Sequence, residues 1–289
     1  MLTSPKTDKR FVENGQVSYD LDTEEETKQD NIAAQKLNNF NNAFTALSPE
    51  LISTLSSALE PYVNEKRRDR IKTVLNNRTI RSKFLFENPS NPSNVWACLR
   101  TIGSFGVQNV NVIMESQRYI GKQALVQKRG MRTAVGSAQW LSLKNHATTS
   151  EALQEIRNQG YKIYASDLNP KSKDIRDVNW DAGPVCVVMG NEESGISDEI
   201  RNAADETFNI PMVGFAESFN LSAATSITLA HMSATSRLGK GPLRAGDIGD
   251  HQINCLYVKG LLNSLPKKRL GEALLRHHNI VLPKEFDLL

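Results

Sequence analysis

Asn94 and Arg100, six residues apart in NPSNVWACLRTIGSFGV, pair a neutral amide with a permanent cation. On a helix that spacing is under two turns, so both can address one strand end if the first turn is irregular. Asn91 lies just upstream in the same segment. Arginine stays protonated in proteins, which suits it to orienting an anion or stabilising developing negative charge. A second segment, GNEESGIS, sets Glu192 and Glu193 between Gly190 and Gly195, where backbone amides could hold a polar ligand. A third, IPMVGFAESFNLS, gathers Ser218, Asn220 and Ser222 at a helix start, which suits a carboxylate or other polar group. Each segment alone also reads as ordinary capping: Asn94 as an N-cap beside a surface Arg100, Glu192 and Glu193 as solvated acids, Ser197 as the cap of a helix over 198–205.

Several chemistries are excluded by pattern. GNEESGIS lacks the Gly-Lys-Ser/Thr ending of a phosphate loop, and its acids would repel phosphate. Gly103 and Gly106 are not part of any G-x-G-x-x-G dinucleotide fingerprint. His146 and His231 lack partners at metal spacing, so no metal site is expected. Cys98, Cys186 and Cys255 are far apart and form no C-x-x-C pair, which fits a reducing compartment, cytoplasmic or organellar. No apolar run approaches the ~20 residues that cross a bilayer, so a soluble protein is expected.

The elements that must position these groups follow from periodicity. Short β-branched or aromatic runs, KFLF, NVNVIM, YKIYAS, VCVVM and TFNI, alternate with helical patterns at 94–104, 150–159 and 222–237. Ser150 is read as the N-cap of the second helix and Gly160 as its stop. The alternation predicts an α/β domain with a mostly parallel sheet, helices on both faces and ligand chemistry at the carboxyl ends of strands. Upstream, Ser48 and Pro49 open a helix carrying Leu51, Leu55 and Leu59; Pro61 interrupts it, and a second helix spans 63–77. A terminal helical segment is expected over 252–278. The resulting division is a flexible extension at 1–45, a basic helical segment at 46–82, the α/β domain at 83–240 and a helical extension at 241–289. Net charge is only +3, but its distribution is uneven. Acids crowd residues 20–30, whereas Lys66, Arg67, Arg68, Arg70, Lys72, Arg78, Arg81 and Lys83 form a basic stretch.

Taken in order, the three segments resemble the motifs of the SPOUT RNA methyltransferases, in the TrmH or SpoU branch of ribose 2′-O-methylases. The family's Asn and, six residues later, Arg are matched by Asn94 and Arg100, and its Gly-x-Glu loop by Gly190 and Glu192. Its third motif is matched by Ile210, Pro211, Met212, Ser218, Asn220 and Ser222, with Phe219 and Leu221 where Leu and Val are usual. The resemblance spans roughly residues 63–238. Within the branch the chain is most similar to the tRNA guanosine-18 group, which also shares RRDRIKTVLNNR, AVGSAQWLSLKNH and the ending YVKGLLNSLPKKRLGEALLRHHN.

The resemblance implies S-adenosylmethionine-dependent methylation of an RNA ribose, most similar to tRNA modification, with rRNA modification or a catalytically silent RNA-binding relative as alternatives. It implies a trefoil-knotted domain and a homodimer. Arg100 would be the central catalytic residue, credited in the family with helping to remove the hydroxyl proton; Asn94 would fix its geometry. Glu192 would anchor the loop or pair with Arg100, and Ser218 and Asn220 would complete the pocket. The cofactor would lie against Ser166, Gly190, Ile210, Met212 and Phe219. Arg67, Arg68, Arg70 and Arg78, with Lys267, Lys268, Arg269, Arg276, His277 and His278, would meet the RNA backbone. At least two of Trp96, Trp140 and Trp180 are expected in the core rather than stacked on bases.

Overall fold

The computed structural model describes residues 11–13, 16–18, 38–39, 41–90, 92–115, 137–236 and 243–281. Two short strands, β1 (Phe11–Glu13) and β2 (Gln16–Ser18), pair as an antiparallel hairpin. Helix α1 (Pro49–Leu59) begins where expected: the Ser48 hydroxyl accepts from the Leu51 N–H at 3.2 Å. Glu60–Tyr62 form a tighter turn around Pro61, and Asn64 then caps α2 (Glu65–Asn76) by accepting from the Arg67 N–H at 2.8 Å.

The main sheet comprises β3 (Thr79–Glu87), β4 (Val107–Ile113), β5 (Ser142–His146), β6 (Lys162–Ser166), β7 (Lys173–Asp174), β8 (Val185–Met189) and β9 (Glu206–Asn209). Its order is β5-β4-β3-β8-β6-β9-β7, and every pairing is parallel. Around it lie α3 (Pro92–Ser104), α4 (Thr149–Asn158), α5 (Asp198–Ala203), α6 (Leu221–Ser236), α7 (Asp250–Ser264) and α8 (Lys268–His277).

The α/β reading therefore holds, for a simple reason. A parallel sheet is covered on both faces, so its central strands are apolar at every position rather than at alternate ones. In β8, Val185, Val187 and Met189 pack with Leu99 of α3 and Leu229 of α6, while Cys186 and Val188 pack with Ile156 of α4 and Ile200 of α5. A separate cluster, including Leu55, Leu59, Ile71, Leu75, Val258 and Leu261, joins α1, α2 and α7. Trp96 and Trp180 are buried in the sheet core.

Four features differ from the sequence reading. Strands β5 and β7 were not anticipated: SLKNH carries polar residues that face inward, and β7 is two residues long. Helix α4 is capped by Thr148, whose hydroxyl accepts from the Glu151 N–H at 3.1 Å, and not by Ser150. The terminal segment is two helices, separated at Pro266, which lacks the N–H a continuous helix needs. Packing also begins before residue 46. Asn38 exchanges two hydrogen bonds with the backbone of Asn145, Asn41 donates to Leu143 O, and Phe44 and Leu47 are buried among the helices. Those amides cover the otherwise open edge of β5. Asn91 and residues 20–30 lie outside the described residues.

Asp247 ties the segment before α7 to the start of the sheet. Its carboxylate accepts from Thr79 Oγ1 at 2.8 Å, the Ile80 N–H at 2.8 Å and the Arg81 N–H at 3.1 Å. These groups span the point where β3 shifts register against β4, so the ladder alone does not satisfy them. Asp247→Ala should cost about 2–3 kcal/mol through the lost charge-assisted bonds and stranded N–H groups, measured as a lower urea midpoint at unchanged slope.

Candidate active site

The three segments singled out by sequence meet at the carboxyl edge of the sheet, where β3, β8 and β9 end. Asn94 stands at their junction. Its Nδ2 donates to Glu192 Oε1 at 3.2 Å, and its Oδ1 accepts from Asn220 Nδ2 at 3.2 Å. Glu192 also accepts, at its other oxygen, from the Ser90 N–H at 2.7 Å and the Ser90 hydroxyl at 2.9 Å. Asn220 in turn accepts from the Ser222 N–H and hydroxyl, at 2.9 and 2.7 Å, so it caps α6 while reaching Asn94. Capping and site-building are one act in this residue. Asn94 itself is the third residue of α3 and not its N-cap, because the helix starts at Pro92.

Of the two roles expected for Glu192, anchoring the loop is the one these bonds carry. Burial would raise its pKa, but hydrogen bonds from Ser90 and Asn94 outweigh that and hold the carboxyl below its ordinary 4.5. Arg100 lies further along α3 with an exposed side chain.

The loop after β8 is shaped by Gly190. A Cβ there would lie 2.3 Å from the Gly195 carbonyl carbon and 2.5 Å from the Ile196 nitrogen, so only glycine fits. Gly195 adopts φ +70, and its N–H and C=O exchange bonds with Asn191 at 3.0 and 2.9 Å, closing the turn. Asn191 further donates to Asn88 O at 2.6 Å. Asn88 and Ser90 were missed by sequence reasoning, although the Asn88-Pro89 dipeptide is a turn signal. Asn88 sits at φ 41 and accepts from the Glu115 N–H at 2.8 Å, locking the end of β3 to the end of β4.

Beside this network opens a cleft of about 510 Å³. It is lined by Ser166, Gly190, Ile210, Met212 and Phe219, all five positions expected at the cofactor, together with Ser218 and Glu192. Asp167, Glu193 and Glu217 add carboxylates, and Met189 and Leu221 add apolar surface. Such a wall favours a cationic ligand with an apolar body and disfavours phosphate. Asn94, Asn220 and Arg100 lie outside the lining. Among the described residues no cluster of side chains could hold a metal.

The expected RNA-facing arginines divide. Arg70 is exposed on α2. Arg67 is exposed but stacks over the Trp140 ring at 5.2 Å and donates to Ser264 Oγ at 3.1 Å. Arg68 lies 3.7 Å from Glu60. Arg78 is not an RNA contact: it is 5 % exposed, its Nη1 donates to Val107 O, and burial pushes its pKa down to about 10. It follows the end of α2 and turns inward at the start of β3, so the basic run is not one helix face. Lys267, Arg269, Arg276, His277 and His278 are exposed.

Comparison with known proteins places this geometry. Residues 82–230 match the SpoU rRNA methylase family. The chain belongs to that family. It is 30% identical over 211 residues to the tRNA (guanosine(18)-2′-O)-methyltransferase of Aquifex aeolicus, covering 73% of this chain and 96% of that one. It is 30% identical over 171 residues to the enzyme of the same name from Borreliella burgdorferi, covering 59% and 74%. The crystal structure of the A. aeolicus TrmH/SpoU tRNA modifying enzyme superposes with a TM-score of 0.61 at 30% identity, over 70% of this chain and 98% of that one. As a SpoU-family protein the chain is a methyltransferase, and S-adenosylmethionine is the methyl donor of the family. The acidic, partly apolar cleft fits that cationic donor.

The depressed pKa of Glu192 has a sign. Its anchoring contributes stability above the ordinary carboxylate pKa and loses it as pH falls through the lowered folded-state value. Glu192→Gln, which cannot accept from both Ser90 and Asn94 at two oxygens, should therefore be less stable than wild type at pH 7, the difference shrinking below about pH 4. Paired urea titrations across pH measure this.

Proposed function

We propose that this chain methylates the ribose 2′-hydroxyl of tRNA, at guanosine 18 of the D-loop. The observation that carries the reading is the Asn220–Asn94–Glu192 chain, which fixes the helix bearing Arg100 beside the acidic cleft. The names of the A. aeolicus and B. burgdorferi relatives support tRNA over rRNA. Bound S-adenosylmethionine supplies an electrophilic methyl group on a sulfonium.

The chain's own residues then have four tasks. Gly190 and Ile210 shape the floor that holds the donor at the strand ends. Ser166, Met212, Ser218 and Phe219 complete its walls. Asn94, held from both sides, keeps the first turn of α3 in one position. Arg100 orients the ribose or an adjacent phosphate and stabilises negative charge as the hydroxyl proton leaves; its permanent protonation makes it a poor base. Arg70 and the exposed cations of α8 hold the RNA backbone.

Homodimerisation belongs to the same reading. Val213 and Phe215 stand fully exposed on the loop leading into α6, between the cleft-lining Met212 and Glu217, and an apolar pair in that place suits a second copy. A trefoil knot belongs to the same reading and is supported by the family match over residues 82–230. A cytoplasmic location is supported by buried, unpaired cysteines and by bacterial relatives. No helix among the described residues is long and apolar enough to cross a membrane.

Arg100→Ala should lower kcat/KM for tRNA methylation by about 100-fold or more, the usual loss for one transition-state contact, while donor binding by calorimetry stays within twofold. Mapping 2′-O-methyl groups on separate tRNA and rRNA transcripts tests the substrate; methylation of rRNA alone would overturn the tRNA assignment.

A further inference from the structure

Arg201 stands behind the acidic cleft, not in it, and touches two of the loops that form its walls. One wall is Ser166, Asp167 and Leu168, where the chain leaves β6; another is the turn at 190–195 after β8. Arg201 belongs to α5 and lines neither. Its Nε donates to Asp167 Oδ2 at 2.8 Å, and its Nη2 lies 3.5 Å from Asp167 Oδ1. The same Nη2 is 3.4 Å from Ile196 O, one residue past the turn. The remaining nitrogen, Nη1, donates to Asp198 Oδ1. A guanidinium presents its donors in a rigid fork, so one side chain can grip a carboxylate and a carbonyl at a set separation.

Both ends of this staple are fixed independently. The Asp167 N–H donates to Phe208 O at 2.9 Å, one step beyond the register pair of Ser166 with Phe208. Ile196 and Ile200 are buried beside Ile163 and Ala165 of β6, which seats α5 on the sheet. As a source of stability the ion pairs of Arg201 are modest: its side chain is 34 % exposed and that of Asp198 89 %, where such pairs contribute little. What the contact does is geometric, because it spans the exit of β6 and the exit of the β8 turn.

We infer that Arg201, acting through Asp167, is a positioning residue for the methyl donor, setting the spacing of the two loops between which S-adenosylmethionine binds. The inference rests on the donor occupying this cleft. A purely electrostatic role would have the opposite sign. If Arg201 only neutralised Asp167, its removal would bare a carboxylate beside a cationic donor and tighten binding. Positioning predicts weaker binding, because the donor must then order the loops as it binds.

The test is calorimetric titration of the full chain with S-adenosylmethionine. Arg201→Gln and Asp167→Asn should each weaken binding about tenfold, the scale of ordering one or two side chains on association. The double variant should lose no more than about that same factor, since both changes remove one contact. Arg201→Lys, which keeps the charge but not the fork, should also bind more weakly than wild type. Arg157→Gln is the matched control: Arg157 of α4 grips Asp205 at 2.6 Å and Ala203 O at 2.7 Å where α5 ends, away from the cleft lining. Its donor affinity should stay within about twofold of wild type. Unchanged near-ultraviolet dichroism establishes that the variants fold. Tighter or unchanged binding in Arg201→Gln, equal weakening in Arg157→Gln, or losses that multiply in the double variant overturn the proposal. Gly190→Ala separates this from a misplaced donor. If it loses binding while Arg201→Gln keeps it, the cleft stands and only the positioning role falls; if it binds as wild type does, the donor lies elsewhere and both readings fall.

Discussion

One side-chain amide holds the site together. Asn94 uses its nitrogen on Glu192 and its oxygen on Asn220, residues 98 and 126 positions away in sequence. A side-chain amide can donate to a carboxylate from its nitrogen and accept from another amide at its oxygen at once. An aspartate in its place would set two carboxylates together; a leucine would strand both partners. Because Glu192 also grips Ser90 at its second oxygen, the α3 start, the loop after β8 and the start of α6 form one connected unit. The position of Arg100 follows from that unit, since α3 has no freedom to rotate once its first turn is clasped.

The clasp works only because the sheet delivers its parts to one edge. Parallel strands end at the same side, so loops that are remote in sequence become neighbours there. Burial on both faces fixes the register: shifting β8 by one residue would exchange Val187 and Met189, which pack toward α3 and α6, with Cys186 and Val188, which pack toward α4 and α5. The loop that leaves β8 must then fold back within van der Waals distance of itself, which Gly190 alone permits. Apolar packing thus sets the position of the polar network, and the network sets the orientation of the groups around the cleft.

Legibility in the sequence followed the same physics. The central strands were readable because burial on both faces makes them unbroken apolar runs, and the five expected cofactor positions all line one cleft because the motifs that contain them end those strands. Strand β5 was unreadable for the opposite reason: SLKNH is mostly polar, and two of the residues it buries, Asn145 and His146, are themselves polar. Arg78 misled because charge suggests exposure, and only the fold reveals that the chain has left α2 and entered the sheet by that point. Ser90 and Asn88 were invisible as site residues, since a serine and an asparagine in a turn resemble any others until their partners, 102 and 103 residues away, are known.

The charge pattern across the sheet constrains how the acidic cleft can act. Carboxylates beside a sulfonium stabilise the charged donor, but methyl transfer discharges that cation, so bare acids would favour the ground state over the transition state. Two of the four carboxylates lining the cleft are engaged elsewhere. Asp167 is held by Arg201 at 2.8 Å, and Glu192 by Ser90 and Asn94. Rate enhancement must then come from groups that meet charge only as it develops on the ribose oxygen. Under the proposed function that task falls to Arg100, cationic and exposed on the clasped helix.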